Sequence, residues 1–200
     1  MMINHNELIC DFVGGPFGYR IRHGRSQYHA LAKAVGFKGK KNLNIIDATA
    51  GLGRDAFLLA SLGANVTLIE RNTKMHKLLE EGIFRAKNEN DDYAEIVARM
   101  TLIYGDAIEL LPDLKPETVL IDPMHPPRRK TALVKKELRI IRDIVGTDTD
   151  AKKLMDTALE NSNSRVVLKW PRKAEPMVGL PSPSHQIVGK TTRYDVFIQT

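Results

Sequence analysis

From Asn42 onward, short apolar runs alternate with longer stretches of helical periodicity, and this alternation limits the fold more than any other feature. Two strands can pair in parallel only if a crossover connects them, so repeated strand–helix units build a parallel sheet covered by helices. The runs that read as strands are Leu43–Ala48, Asn65–Glu70, Met100–Tyr104, Thr118–Asp122 and Arg165–Trp170. Helical spacing falls between them on Arg54–Leu62, Thr73–Lys87, a short piece near Ala107–Leu111, Ala132–Val145 and Asp150–Asn161. The end of the chain breaks the pattern. "HQIVGK" and "YDVFIQT" are joined by "TTR", too short for a crossover helix, so these strands should pair antiparallel. The expected class is α/β, Rossmann-like, with a mostly parallel sheet closed by an antiparallel C-terminal hairpin.

Two hundred residues, 42% of them hydrophobic, suffice for one well-packed domain. Residues 41–200 carry the alternating pattern. Residues 1–40 read as a basic accessory segment, glycine-rich at "DFVGGPFGYRIRHGR" and helical from about Gln27 to Val35. The formal charge of +6 favours an anionic partner such as nucleic acid. The single cysteine, Cys10, excludes an internal disulfide and any multi-cysteine metal site, so no metal is expected. No apolar run reaches the length of a membrane span, and "MMINHNELICD" lacks a signal-peptide core. The expectation is a soluble cytoplasmic protein with no membrane partner.

The first strand is followed by "DATAGLGRDAF". Gly51 and Gly53 permit a tight turn and a close approach of ligand to backbone, and the helix beginning at Arg54 and Asp55 turns free N–H groups toward that ligand. A glycine pair after a strand is weak evidence alone, since it can simply make a corner. Its position between strand and helix strengthens it. Glu70 ends the second strand, nineteen residues after Gly51, close to the roughly 20 expected of an acid that binds ribose hydroxyls. Asp106 follows the third strand, where it can accept from an adenine amino group or cap the helix at "AIELL". A glycine loop and two acids on one rim point to an adenosine-containing cofactor, a nicotinamide dinucleotide or S-adenosylmethionine. The terminal hairpin resembles the class I methyltransferase version of the fold more than the dehydrogenase version.

The fourth strand brings Asp122 to the same rim, followed by "PMHPP". Methyl transfer to an exocyclic base nitrogen faces a lone pair delocalised into the ring. A carboxylate and a backbone carbonyl accepting the amino hydrogens can aim that lone pair at the methyl donor, and a proline keeps the carbonyl in place. A flat side chain nearby would stack on the base. Asp122-Pro123-Met124-His125 resembles a variant of the Asp/Asn-Pro-Pro-aromatic motif of amino methyltransferases, with Met124 for the second proline and His125 for the aromatic ring. Taken alone, Asp-Pro would be an ordinary strand-ending turn.

"DFVGG", "DATAGLGRDAF", "LIERN", "DPMHPPRRKTALVKKELR" and "RYDVFI" together resemble the ribosomal RNA small subunit methyltransferase J family, over nearly the whole chain from Asp11. The resemblance implies methyl transfer from S-adenosylmethionine to the N2 amino group of a guanosine in small-subunit (16S) ribosomal RNA, naked or in the assembled subunit. It places cofactor contacts on Arg54, Asp55, Glu70, Arg71, Asp106, Ala107 and Asp122, beside Gly51 and Gly53 of the loop. Catalytic roles fall on Asp122, Pro123 and His125. The cations after the motif are candidates for phosphate contacts: Arg128, Arg129 and Lys130, joined by Arg20 and Arg22 of "FGYRIRHGR". Two other readings stand beside this one, an NAD(P)-dependent oxidoreductase and a catalytically silent RNA-binding module of the same fold.

Overall fold

The computed structural model describes residues 8–15, 17–19, 29–37, 42–124, 144 and 149–199. Its strands are β1 (Asn44–Asp47), β2 (Asn65–Glu70), β3 (Met100–Tyr104), β4 (Thr118–Ile121), β5 (Arg165–Pro171), β6 (His185–Val188) and β7 (Thr192–Ile198). They form one seven-stranded sheet in the order β3-β2-β1-β4-β5-β7-β6. The first five strands pair in parallel, while β7 runs antiparallel to both β5 and β6. The antiparallel hairpin read from the sequence is therefore present, and its second strand takes the inner place. The chain leaves β5, runs out to the edge as β6, and returns between the two.

The central strand β4 is buried on both faces, which explains why its sequence is nearly continuous apolar, whereas edge strand β3 is fully buried only at Met100. Successive side chains still point to opposite faces. Ile45, Leu68, Leu120 and Val167 join one core cluster, while their neighbours Ile46, Ile69, Val119, Ile121, Val166 and Leu168 join the other. The helices are α1 (His29–Ala34), α2 (Arg54–Ser61), α3 (Thr73–Lys87), α4 (Asp91–Val97), α5 (Ala107–Leu114) and α6 (Ala151–Asn161). The helix read at Ala132–Val145 lies, apart from Ile144, outside the described residues. Helix α4 is not foreshadowed by periodicity, because only seven residues build it. Its signal is local: the Asn90 side chain accepts from the Tyr93 N–H, and Tyr93 and Val97 are buried. Helix α5 runs past its expected end at Leu111 through Pro112 and stops at Lys115, which adopts the left-handed conformation.

The described part of residues 1–40 enters the main core. Phe12 stacks on Phe57 with ring centroids 4.5 Å apart, and Cys10 and Phe17 are buried in the same cluster. The Arg85 guanidinium donates to the Cys10 carbonyl at 2.6 Å, and that of Arg165 to the Ala34 carbonyl at 2.9 Å. Truncating a fully buried phenylalanine removes its transfer energy and leaves a cavity. Phe12→Ala should therefore lower global stability by about 3–5 kcal/mol in one cooperative denaturant transition. A parent-like main transition, with the N-terminal segment melting separately, would show instead that the segment folds apart from the sheet.

Candidate active site

The parallel strands all end on one edge of the sheet. The crossovers from β1 to β2 and from β3 to β4 run in opposite directions along the sheet, and the crevice between the diverging connections is where open α/β sheets take ligands. A cleft of ≈ 480 Å³ lies there, lined by the 47–52 loop, Glu70, Asp106, Asp122 and Lys169 among others. Gly51 and Gly53 both hold positive φ, 53° and 65°. A Cβ on Gly53 would come within 2.6 Å of Leu79 Cδ1, so this corner requires glycine for conformation and space alike. Gly53 precedes α2 without a side-chain cap, so the helix starts directly from the glycine corner.

Glu70 is almost fully buried, and both of its oxygens are used. Oε2 accepts from the Gly51 N–H at 2.9 Å, and Oε1 from the Asn72 N–H at 2.8 Å. The predicted cofactor acid thus also braces the glycine loop against the start of α3. Arg71 is drawn into an ion cluster, pairing with Asp150 at 3.0 Å and Asp106 at 3.3 Å. The hydrogen bond to Asp150 raises the Arg71 pKa above its ordinary value, and the same bond lowers that of Asp150. Of the two roles weighed for Asp106, the cap is visible: Oδ1 accepts from the Ile108 N–H at 2.9 Å. Ala107 is buried beside it on the cleft wall with Ile69 and Ile108, an apolar slot suited to a planar ring. The Arg54 guanidinium stands 6.0 Å from the centre of the Phe17 ring and also borders the cleft.

Opposite the glycine loop, Lys169 Nζ sits between two carboxylates, 2.6 Å from Asp55 Oδ2 and 2.8 Å from Asp122 Oδ2. Burial alone would lower the lysine pKa, but the two acids outweigh it and hold the group well above its ordinary range. The Asp122 N–H donates to Thr49 Oγ1 at 2.7 Å, and the Thr49 N–H donates to Asp47 Oδ1 at 3.2 Å. Asp122 is thus held from its carboxylate and from its backbone. Pro123 behind it is buried, and Met124 is half-buried. The structure brings together Gly51, Arg54, Asp55, Glu70, Arg71, Asp106, Ala107, Asp122 and Pro123 around this cleft, while Gly53 turns the loop without lining it. His125, Arg128, Arg129, Lys130, Arg20 and Arg22 lie outside the described residues.

Asp47, Thr49 and Lys169 were not singled out from the sequence. The lysine had a signal: a cation interrupts the otherwise apolar "RVVLKWP" strand close to its carboxyl end.

This arrangement fits S-adenosylmethionine: a glycine cradle, an acid at the end of the second strand, an apolar slot, and a volume in the range of small-molecule sites. The family model "Putative SAM-dependent methyltransferase" matches residues 2–199. A "Ribosomal RNA small subunit methyltransferase J" of Brucella anthropi is 64% identical over 98% of this chain and 96% of its own length. One from Agrobacterium fabrum is 57% identical over 99% of this chain and 95% of its own. Among solved structures, a SAM-dependent methyltransferase from Neisseria gonorrhoeae superposes with a TM-score of 0.75 at 35% identity, covering 99% of this chain and 77% of that one. Fold, cleft and matches define an S-adenosylmethionine-dependent methyltransferase of class I architecture. Within that class, the chain belongs to the ribosomal RNA small subunit methyltransferase J family.

Asp47 gives the site a pH signature. Burial, then the nearby Asp55 carboxylate, pushes its carboxyl up to about 7, only partly opposed by the Thr49 N–H. An acid with a raised pKa binds more protons folded than unfolded, so stability is greatest below the unfolded pKa and falls as pH rises toward 7. Asp47→Asn removes that penalty. It should be more stable than the parent at pH 8, by up to a few kcal/mol, with the advantage shrinking at pH 4–5. Denaturant titrations of both proteins at the two pH values measure this, and an advantage independent of pH would refute it.

Proposed function

We propose that this chain methylates the exocyclic N2 amino group of a guanosine in small-subunit (16S) ribosomal RNA, in the cytoplasm, with S-adenosylmethionine as donor. The observation that carries the reading is Asp122 at the mouth of the cofactor cleft, held by Lys169 and Thr49 and followed at once by a buried proline. When bound, S-adenosylmethionine supplies a methyl group activated by its sulfonium centre. The residues to hold it are the Gly51–Gly53 loop with Arg54 and Asp55, Glu70 for the ribose hydroxyls, and Ala107 with its apolar neighbours for the adenine. Arg71 and Asp106 keep that wall of the cleft in place through their ion pair.

On the substrate side, Asp122 accepts one amino hydrogen and the Pro123 carbonyl accepts the other, which directs the nitrogen lone pair toward the methyl group. The methylated nitrogen becomes strongly acidic, so the ion-paired Asp122 carboxylate can still take its surplus proton and pass it to solvent at the open rim. Lys169 fixes where that carboxylate stands. His125 stacks on the base face. Arg128, Arg129 and Lys130, with Arg20 and Arg22, neutralise phosphates around the target. Guanine N2 lies on the base-pairing edge, so the target must be unpaired or flipped before transfer.

The product identifies the reaction. Small-subunit ribosomal RNA incubated with enzyme and cofactor, then digested and analysed by mass spectrometry, should yield N2-methylguanosine. A methyl group on another atom, or none, overturns the reading. Single-turnover rates at saturating cofactor test the residues. Asp122→Ala should be about 10²–10³ slower and Asp122→Asn partly active, because an amide oxygen still accepts. Lys169→Met should be roughly 10²-fold slower by misplacing Asp122. An alanine variant as fast as the parent makes Asp122 a turn residue only.

A further inference from the structure

The loop leaving β5 and the turn between β6 and β7 take no part in the chemistry above, yet they border the same cleft through Pro171, Thr191 and Thr192. Their backbone is organised from inside. The side chain of Arg193 is buried, and its Nη1 donates to the carbonyl oxygens of Pro171 at 3.3 Å, Arg172 at 3.4 Å and Ala174 at 2.5 Å. Trp170 Nε1 donates to the Glu175 carbonyl at 2.8 Å. Four carbonyls of one short loop are thereby turned inward, toward these donors. What the loop offers to solvent includes the exposed side chains of Arg172 and Lys173, with one exposed acid, Glu175, further along.

The Arg172 N–H donates to the Thr191 carbonyl at 3.0 Å, which fastens this loop to the β6–β7 turn and brings exposed Lys190 to the same lip. A nearby acid, Asp195, is buried and already bound by Arg193 and Gln186. Among the described residues, Arg172, Lys173 and Lys190 form no ion pair. Three cations against one exposed acid, Glu175, on a braced backbone, spread over two segments and open to solvent, suit an extended polyanion rather than a small enclosed anion.

We propose that Arg172, Lys173 and Lys190 form a rigid lip that grips the phosphate backbone of the substrate RNA beside the cleft. The inference rests on the ribosomal RNA reading and adds to it a second basic surface, separate from the cations that follow Asp122. Binding of small-subunit ribosomal RNA is to be titrated over a salt series for the parent and for the triple variant Arg172→Ala, Lys173→Ala, Lys190→Ala, with methylation of the same RNA followed in parallel. The triple variant should bind about tenfold more weakly near physiological salt, and its log–log salt slope should be shallower by about 2. Its S-adenosylmethionine affinity and melting temperature should match the parent's. Arg172→Glu alone should also weaken RNA binding, by charge reversal. If the parent methylates the RNA while the triple variant keeps the parent's affinity and slope, the lip is overturned and the ribosomal RNA reading stands. If the parent does not methylate the RNA, that reading fails and the lip falls with it.

Discussion

Strand register in the middle of the sheet is the constraint on which the site depends. Strand β4 pairs with β5 so that Ile121 lies opposite Leu168, and the next residues on each strand are Asp122 and Lys169. On the other side, β1 pairs with β4 so that Asp47 lies opposite Leu120, which carries Thr49 to the backbone of Asp122. The reactive edge is therefore not assembled by loops finding one another. It is the next rung of a ladder whose lower rungs are Val119, Leu120, Val166 and Val167, all fully buried. A one-residue slip of any of these strands would exchange the two core faces, a large penalty, so the apolar packing that stabilises the fold also fixes the carboxylate.

Lys169 shows what that rigidity makes possible. Taking an ammonium group out of water is expensive, and the expense is offset only when partners are already in place with good geometry. Here they are, because Asp55 is fixed at the start of α2 and Asp122 at the end of β4. The lysine links the cofactor loop to the acceptor turn, so a shift in either is felt by the other. Asp47 behind them has, among the described residues, no such cation at hydrogen-bond distance, and burial with the Asp55 charge moves its carboxyl toward the neutral form.

Much of this was legible in the sequence, for definable reasons. Strands β2 and β3 and helix α3 occupy the residue ranges their sequence marks, since short apolar runs between turns and a fifteen-residue amphipathic helix both leave strong patterns. Glu70 was found because strand ends and their spacing from a glycine turn are one-dimensional features. Lys169 was not, because its meaning lies in two residues 114 and 47 positions away that only the sheet brings near. Arg71 illustrates the same limit: nothing in "LIERN" announces that Asp150 will be its main partner. The inward turn of β7 is a matter of topology. Two short strands joined by a tight link must pair with each other, but which of them reaches β5 is decided by packing, with Tyr194, Val196 and Phe197 buried on β7 while β6 stays largely exposed.

The sheet order also sorts charge across the cleft. On its floor the acids are largely paired, Asp55 and Asp122 with Lys169 and Asp106 with Arg71. The outer side, reached through β5 and the inserted β7, turns its carbonyls inward on Arg193 and exposes Arg172, Lys173 and Lys190. Inserting β7 between β5 and β6 puts the buried Arg193–Asp195 pair, neutral as a unit, next to the strand that carries Lys169. On the proposed reading, the antiparallel strand thus braces, through Arg193, the lip that holds the RNA beside the paired carboxylates of the cleft.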